Sequence, residues 1–280
     1  MSSIIFCKFH GFGNDYIVFE AESLRGIFSI EDFARKICHR NTGIGGDGIA
    51  VLEKLQSDTA ADYLCRIVNP DGSEAGFSGN GTRCAIAYLY YKNLFAGENL
   101  KLKTQSGIKN YQFLERKENT FWFCAEIGKP KFPQVVSYDL QSANYEKKIQ
   151  ITELNVGNPV AVVFVKDFDE MNWRAVGKEI ETHRQFPEKT NVVFVKNIDR
   201  ENVEIRIWER AAGETSSSGT CSIAAAVASA LTGKTERKVS VHAEGGTTKT
   251  FWREDDEMLI TGRADLAFCG VFFIQMRISS

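Results

Sequence analysis

The chain has 280 residues, 43% hydrophobic and 25% charged, enough to bury the core of one large or two medium domains. A net charge of −2 excludes the strongly basic balance of a nucleic-acid or membrane-surface binder. No apolar run reaches the length of a bilayer span and the N-terminus has no signal-like apolar core, so a cytoplasmic location, with no membrane partner, is expected.

Strand patterns open the chain at "SIIFCKFH" and "NDYIVFEA", and a helix follows at "SIEDFARKICHR" with Ser29 as N-cap. "GIAVLEKL" and "DYLCRIVN" read as strands. A glycine-rich loop, "GFSGNGTRC", then feeds the apolar run "CAIAYLYYKNLF". "NLKLKTQS" is a strand, and "YQFLERKENTFWFCAEI" is a hairpin turning at Glu118-Asn119. Beyond it come the strand "AVVFVKD", a helix in "DEMNWRAVGKEIETH", and the strands "NVVFVKN" and "VEIRIWER". A second apolar run, "CSIAAAVASALT", precedes the strand "KVSVHAE". Both apolar runs are hydrophobic almost all round, as helices enclosed by other structure are. Seven cysteines lie scattered in apolar segments, which predicts buried, reduced thiols rather than a disulfide framework. No Cys-x-x-Cys pair occurs, and His10, His39, His183 and His242 do not cluster, so no metal site is expected.

The second half echoes the first. Asn14 and Asn158 lie 144 residues apart in "GFGND" and "VGNP", and His39-Arg40 recurs at His183-Arg184 with the same offset. Glu74-x3-Ser78-Gly79 recurs as Glu214-x3-Ser218-Gly219, and an apolar helix follows each. Gly107 and Gly246 continue the series. The ordered matches predict an α+β fold of two pseudo-symmetric domains, each a curved, mostly antiparallel sheet wrapped around a central helix. The expected domains are residues 1–125 and 126–280, with a C-terminal strand offered to the first. A cleft between the halves is the expected site, with both central helices aiming their N-termini at it. Helix N-termini favour a carboxylate ligand. Equivalent reactive loops on two faces of one carbon suit a racemase, in which one group removes a proton and another returns it.

The stretches "KFHGFGNDYIVFE", "RNTGIGGDGI", "IVNPDGSEAGFSGNGTRC", "VGNP", "FPEKTNVVFV" and "IWERAAGETSSSGT" together resemble the diaminopimelate epimerase family, in the family's order and over most of the chain. The family shares its fold with proline racemases and phenazine-biosynthesis isomerases. The resemblance implies an isomerase free of pyridoxal, metal and any other cofactor, converting LL- to meso-diaminopimelate in lysine biosynthesis. It implies a small amino-acid-like substrate held by Asn14, Asn69, Gly79, Asn80, Asn158, Asn191, Glu209, Arg210, Gly219 and Thr220. A homodimer is the oligomer it suggests.

Three positions depart from the family pattern. The two catalytic cysteines are Ser78 and Ser218 here, and the histidine of "GNPH" is Val160. A thiol ionises near neutral pH, with a free value of ~8.5, whereas a serine hydroxyl needs a neighbouring base. Glu209 is the best acid/base candidate that remains, and Ser78 and Ser218 also suit helix caps. Asp47 suits a turn but is a second carboxylate candidate. Glu74 and Glu214 are expected to shape their loops by accepting backbone N–H bonds, and Cys84 and Cys221 to pack in the core. Two alternatives stay open: an isomerase or dehydratase using a carboxylate base on the same fold, and an amino-acid-binding homologue without catalysis.

Overall fold

The protein is represented by a computed structural model that describes residues 2–56, 60–210 and 212–274. The chain divides into two units: residues up to Ala125 joined by those from Gly262 on, and Glu126–Thr261.

The elements follow in order as β1 (Ser2–Gly11), β2 (Asn14–Glu20), α1 (Ile30–Cys38), β3 (Gly48–Lys54), β4 (Tyr63–Val68), β5 (Glu74–Ala75), α2 (Gly79–Tyr91), β6 (Asn99–Thr104), β7 (Gly107–Lys117) and β8 (Thr120–Gly128). The series continues as β9 (Lys131–Leu140), β10 (Ile149–Asn155), β11 (Pro159–Val165), α3 (Trp173–Glu181), β12 (Asn191–Asn197), β13 (Asn202–Glu209), β14 (Gly213–Thr215), α4 (Gly219–Leu231), β15 (Lys238–Ala243), β16 (Gly246–Trp252) and β17 (Met258–Ile274).

The pairing pattern repeats. In the first unit β1–β2 is antiparallel, β2–β3 parallel, β3–β4 antiparallel, β4–β6 parallel and β6–β7 antiparallel. In the second unit β10–β11, β11–β12, β12–β13, β13–β15 and β15–β16 run through the same sequence of senses. The register repeats too. Tyr16 pairs with Gly48 where Val160 pairs with Asn191, and Val68 pairs with Glu74 where Trp208 pairs with Glu214. Tyr16 therefore corresponds to Val160, and Asn69 to Glu209. The duplication read from scattered motifs is a duplication of strand order and register.

Each unit is built on its apolar helix. Asn80 to Leu89 of α2 and Cys221 to Ser229 of α4 are buried without a break. Burying a side chain such as Ile86 or Leu89 contributes about 1.5–3 kcal/mol, which outweighs the modest helix propensity of the Tyr and Ser positions. The outer helix α1 is amphipathic instead, burying Phe33, Ala34, Ile37 and Cys38, and Ser29 accepts the N–H of Asp32 as its cap.

Three expectations need correction. "DEMNWRAVGKEIETH" is not one helix: Asp167 caps a 3₁₀ turn at Phe168–Glu170, extended backbone at Met171 ends it, and Asn172 caps α3 afresh. The pattern also gives no signal for β10, because polar residues interrupt the run. Finally, the cysteines are not all reduced. Cys7 and Cys269 form a disulfide across the β1–β17 pairing, with Cα atoms 4.0 Å apart and 262 residues between them. Antiparallel register puts them opposite each other, which spacing alone cannot reveal. Cys38, Cys65, Cys84 and Cys221 are reduced thiols. No helix among the described residues is long and apolar enough to cross a membrane.

Candidate active site

Ser78 and Ser218 occupy one place in the repeated fold. Each is the N-cap of its central helix, in extended backbone. Ser78 Oγ accepts the N–H of Gly81 at 3.1 Å, and Ser218 Oγ accepts that of Cys221 at 3.4 Å. One turn on, the hydroxyls of Thr82 and Ser222 donate back to the cap carbonyls at 2.7 and 2.8 Å. This matched local bonding fixes both caps and leaves first-turn N–H groups of each helix for an anion. Gly79 and Gly219 with Thr220 form those first turns.

The partners of the two hydroxyls differ. Ser218 Oγ donates to Glu209 Oε1 at 2.7 Å, bringing the retained carboxylate onto the cap. Ser78 Oγ lies 2.9 Å from the hydroxyl of Tyr16, a residue that the sequence reading did not single out. Only the β2–β3 register could have flagged it.

A network of charges holds Asn14. Its Nδ2 donates to Asp47 Oδ2 at 2.9 Å, and the same oxygen accepts the Asp15 N–H at 3.1 Å. Arg40 grips Asp15 at 3.1 and 2.9 Å and Asp47 at 2.7 Å, and Lys8 Nζ lies 2.7 Å from Asp15. Burial pushes the Asp15 carboxyl up, but the hydrogen bonds from Arg40 and Lys8 outweigh it and bring the group down to about 2. Asp47, with both oxygens occupied by Asn14, the Asp15 N–H and Arg40, is a buttress for Asn14 rather than an open base.

Asn80 is buried at 5% exposure, and its Oδ1 accepts from the Arg83 guanidinium. Arg83 is itself buried beside the Phe12 ring, with Nε unpartnered. Burial lowers its tendency to hold the proton. Asn69 Nδ2 donates to Ser73 Oγ at 3.0 Å. In the second unit Asn191 Oδ1 accepts the Arg210 N–H at 2.8 Å and Arg210 Nη1 donates to the Glu188 carbonyl, while Asn158 is exposed.

Several expectations end here in structural roles. Among the described residues, Glu74 and Glu214 are held by guanidinium groups rather than by backbone N–H groups of their loops. Arg66 of β4 donates to Glu74 at 2.9 Å, and Arg174 of α3 to Glu214 at 2.6 Å. Cys84 and Cys221 are fully buried, and burial raises both thiols well above their ordinary range, so neither substitutes for the missing thiolate. Val160, at 0% exposure, adds only packing.

With these cap loops described, the relatives are informative. Residues 6–132 and 152–267 match the family model described as diaminopimelate epimerase. The chain belongs to the diaminopimelate epimerase family. It is 37% identical to a diaminopimelate epimerase of Heliobacterium modesticaldum, covering 95% of this chain and 98% of that protein. It is 36% identical to that of Moorella thermoacetica, with the same coverage. Among solved structures, a hydroxyproline epimerase from Agrobacterium vitis superposes with a TM-score of 0.71 at 14% identity, covering 96% of this chain and 92% of that one. A PhzF-family phenazine biosynthesis protein from Bacillus anthracis gives 0.71 at 17%, covering 98% and 100%. These two likenesses are of fold.

Proposed function

We propose that this chain is a cofactor-independent epimerase that inverts an α-carbon of diaminopimelate, the substrate named for its relatives at 36–37% identity. The observation that carries the reading is the Ser218–Glu209 contact at 2.7 Å on the cap of α4. Removing an α-proton from an amino acid needs a base beside it and dipoles to hold the carboxylate on which charge develops. First-turn N–H groups and the asparagine amides supply the dipoles. Ser218 cannot act as a free alkoxide, so Glu209 is the base. Either its oxygen takes the α-proton directly, or Ser218 Oγ takes it while passing its own hydroxyl proton to Glu209. The electron pair stays on the α-carbon in both cases, and inversion is completed when a second group delivers a proton to the opposite face. Asn14, Asn69, Gly79, Asn80, Asn158, Asn191, Arg210, Gly219 and Thr220 are the proposed binding groups for the two charged ends of the substrate. Proton NMR in heavy water tests this. With LL- or meso-diaminopimelate, α-proton signal should disappear in proportion to enzyme, and the other epimer should form. Folded protein that exchanges no α-proton refutes the reading.

A further inference from the structure

We propose that Tyr16 is a proton relay that acts through Ser78 and supplies the second proton transfer of the epimerisation. This rests on the epimerase reading above.

Three observations point to Tyr16. Its hydroxyl is 2.9 Å from Ser78 Oγ, the cap hydroxyl that corresponds to Ser218. The register makes Tyr16 the counterpart of Val160 and Asn69 the counterpart of Glu209. Each unit therefore gives its cap serine one group that can exchange a proton, but from different positions: a phenol on β2 in the first unit, a carboxylate at the end of β13 in the second. Where one unit has the carboxylate the other has a neutral amide, and where one has the phenol the other has a valine.

The third observation is the seat of the ring. A Cβ on Gly48 would lie 2.8 Å from Tyr16 Cε1, and a Cβ on Gly81 2.9 Å from the same atom. No real Cβ makes such contacts, so both glycines keep space for this ring, one from β3 and one from the first turn of α2. The corresponding positions of the second unit are Asn191 and Cys221, and there Val160 stands in place of the tyrosine. The phenol is thus held from two elements, with its hydroxyl on the serine.

The proton balance is simple. As a new C–H bond forms on the carbanion, the Ser78 O–H breaks, and Ser78 Oγ takes the Tyr16 hydroxyl proton, leaving tyrosinate. The proton gained by Glu209 and the one lost by Tyr16 are restored through solvent. In the opposite direction the same steps run backwards, with tyrosinate as the base. A phenol and a carboxylate differ widely in acidity, so the two proton transfers are chemically unequal even though the fold repeats.

The test is α-proton exchange in heavy water from each epimer separately, with wild type, Tyr16→Phe, Ser78→Ala and the double variant, each checked for native circular dichroism and melting. Tyr16→Phe removes one oxygen and keeps the ring in its seat. Inversion in both directions should fall by about 10²-fold or more. Exchange without inversion should persist within about threefold from the epimer whose proton leaves toward Glu209, and be lost from the other. Glu209→Gln should give the mirror-image pattern. The double variant should lose no more than Ser78→Ala alone, as members of one relay do. Tyr16→Phe with wild-type inversion, or with equal loss of exchange from both epimers, overturns the relay alone. Wild-type protein that exchanges neither epimer overturns the epimerase reading itself.

Discussion

Replacing Asp15 by Asn should remove a defined share of the pH dependence of folding. Asp15 has a 12% exposed side chain, and it accepts from Arg40, Lys8 and the Asp47 N–H, the last at 3.0 Å. Its carboxyl sits at about 2 rather than the ordinary 3.8, because these bonds overcome the opposing effect of burial. A depressed folded-state value gives stability that is complete above 3.8 and is lost as pH falls toward 2. The difference of nearly two units corresponds to about 2 kcal/mol at neutral pH, with the exposed Arg40 side reducing the observed figure toward about 1. Roughly half of this has gone by pH 3. Urea unfolding of wild type and Asp15→Asn at pH 6, 5, 4 and 3 checks it. Any packing change from the substitution offsets all four points alike. The gap between the proteins should narrow by roughly 0.5–1 kcal/mol from pH 6 to pH 3. A gap that stays flat would show that Arg40 and Lys8 do not favour the ionised Asp15.

Arg83→Met should raise KM for diaminopimelate about tenfold by releasing Asn80, while the urea midpoint moves little, because a buried guanidinium with an unpartnered Nε adds little net stability. Steady-state kinetics beside urea melts decide this, and a wild-type KM would remove Arg83 from any role in holding Asn80. Restoring thiols at both caps, Ser78→Cys with Ser218→Cys, should raise the exchange rate at least about tenfold, since a thiolate at a helix N-terminus is the stronger base at neutral pH. An unchanged rate would show that the rest of each cap has adapted to a hydroxyl. Reduction of Cys7–Cys269, or Cys269→Ser, should lower stability by about 3 kcal/mol, seen as a lower melting temperature in dithiothreitol for wild type and no such change for the variant.

What was legible in the sequence was whatever repeats or stays local. The Glu-x3-Ser-Gly loops announced the duplication, and the all-round apolar runs announced enclosed helices. The hairpin at Glu118 was readable too, and Glu118 takes a positive φ of 54° there. Partners that strand register brings together were not legible. Ser218 meets Glu209 nine residues back through a tight strand return, whereas Ser78 meets Tyr16 across 62 residues. Nothing in "GNDYIVFE" marks its tyrosine as a partner of a loop in "GFSGNGTRC". The same holds for Cys7 and Cys269, and for Arg66 and Arg174, whose carboxylates were visible but whose guanidinium ends were not. The three positions where the family pattern breaks were visible at once. Their meaning depended on which neighbours the fold supplied to each serine.

Strand β17 changes allegiance along its length. Its first residues pair with β16, and its later ones, from Asp265 to Ile274, pair with β1. During synthesis the whole second unit has left the ribosome before the first unit receives this last strand. Until then β1 has β2 on one side and an open ladder of amides on the other, along with Ile4 and Phe6, which are buried in the finished protein. The earliest strand made is therefore among the last to be completed, and the nascent chain carries a sticky edge through most of its translation.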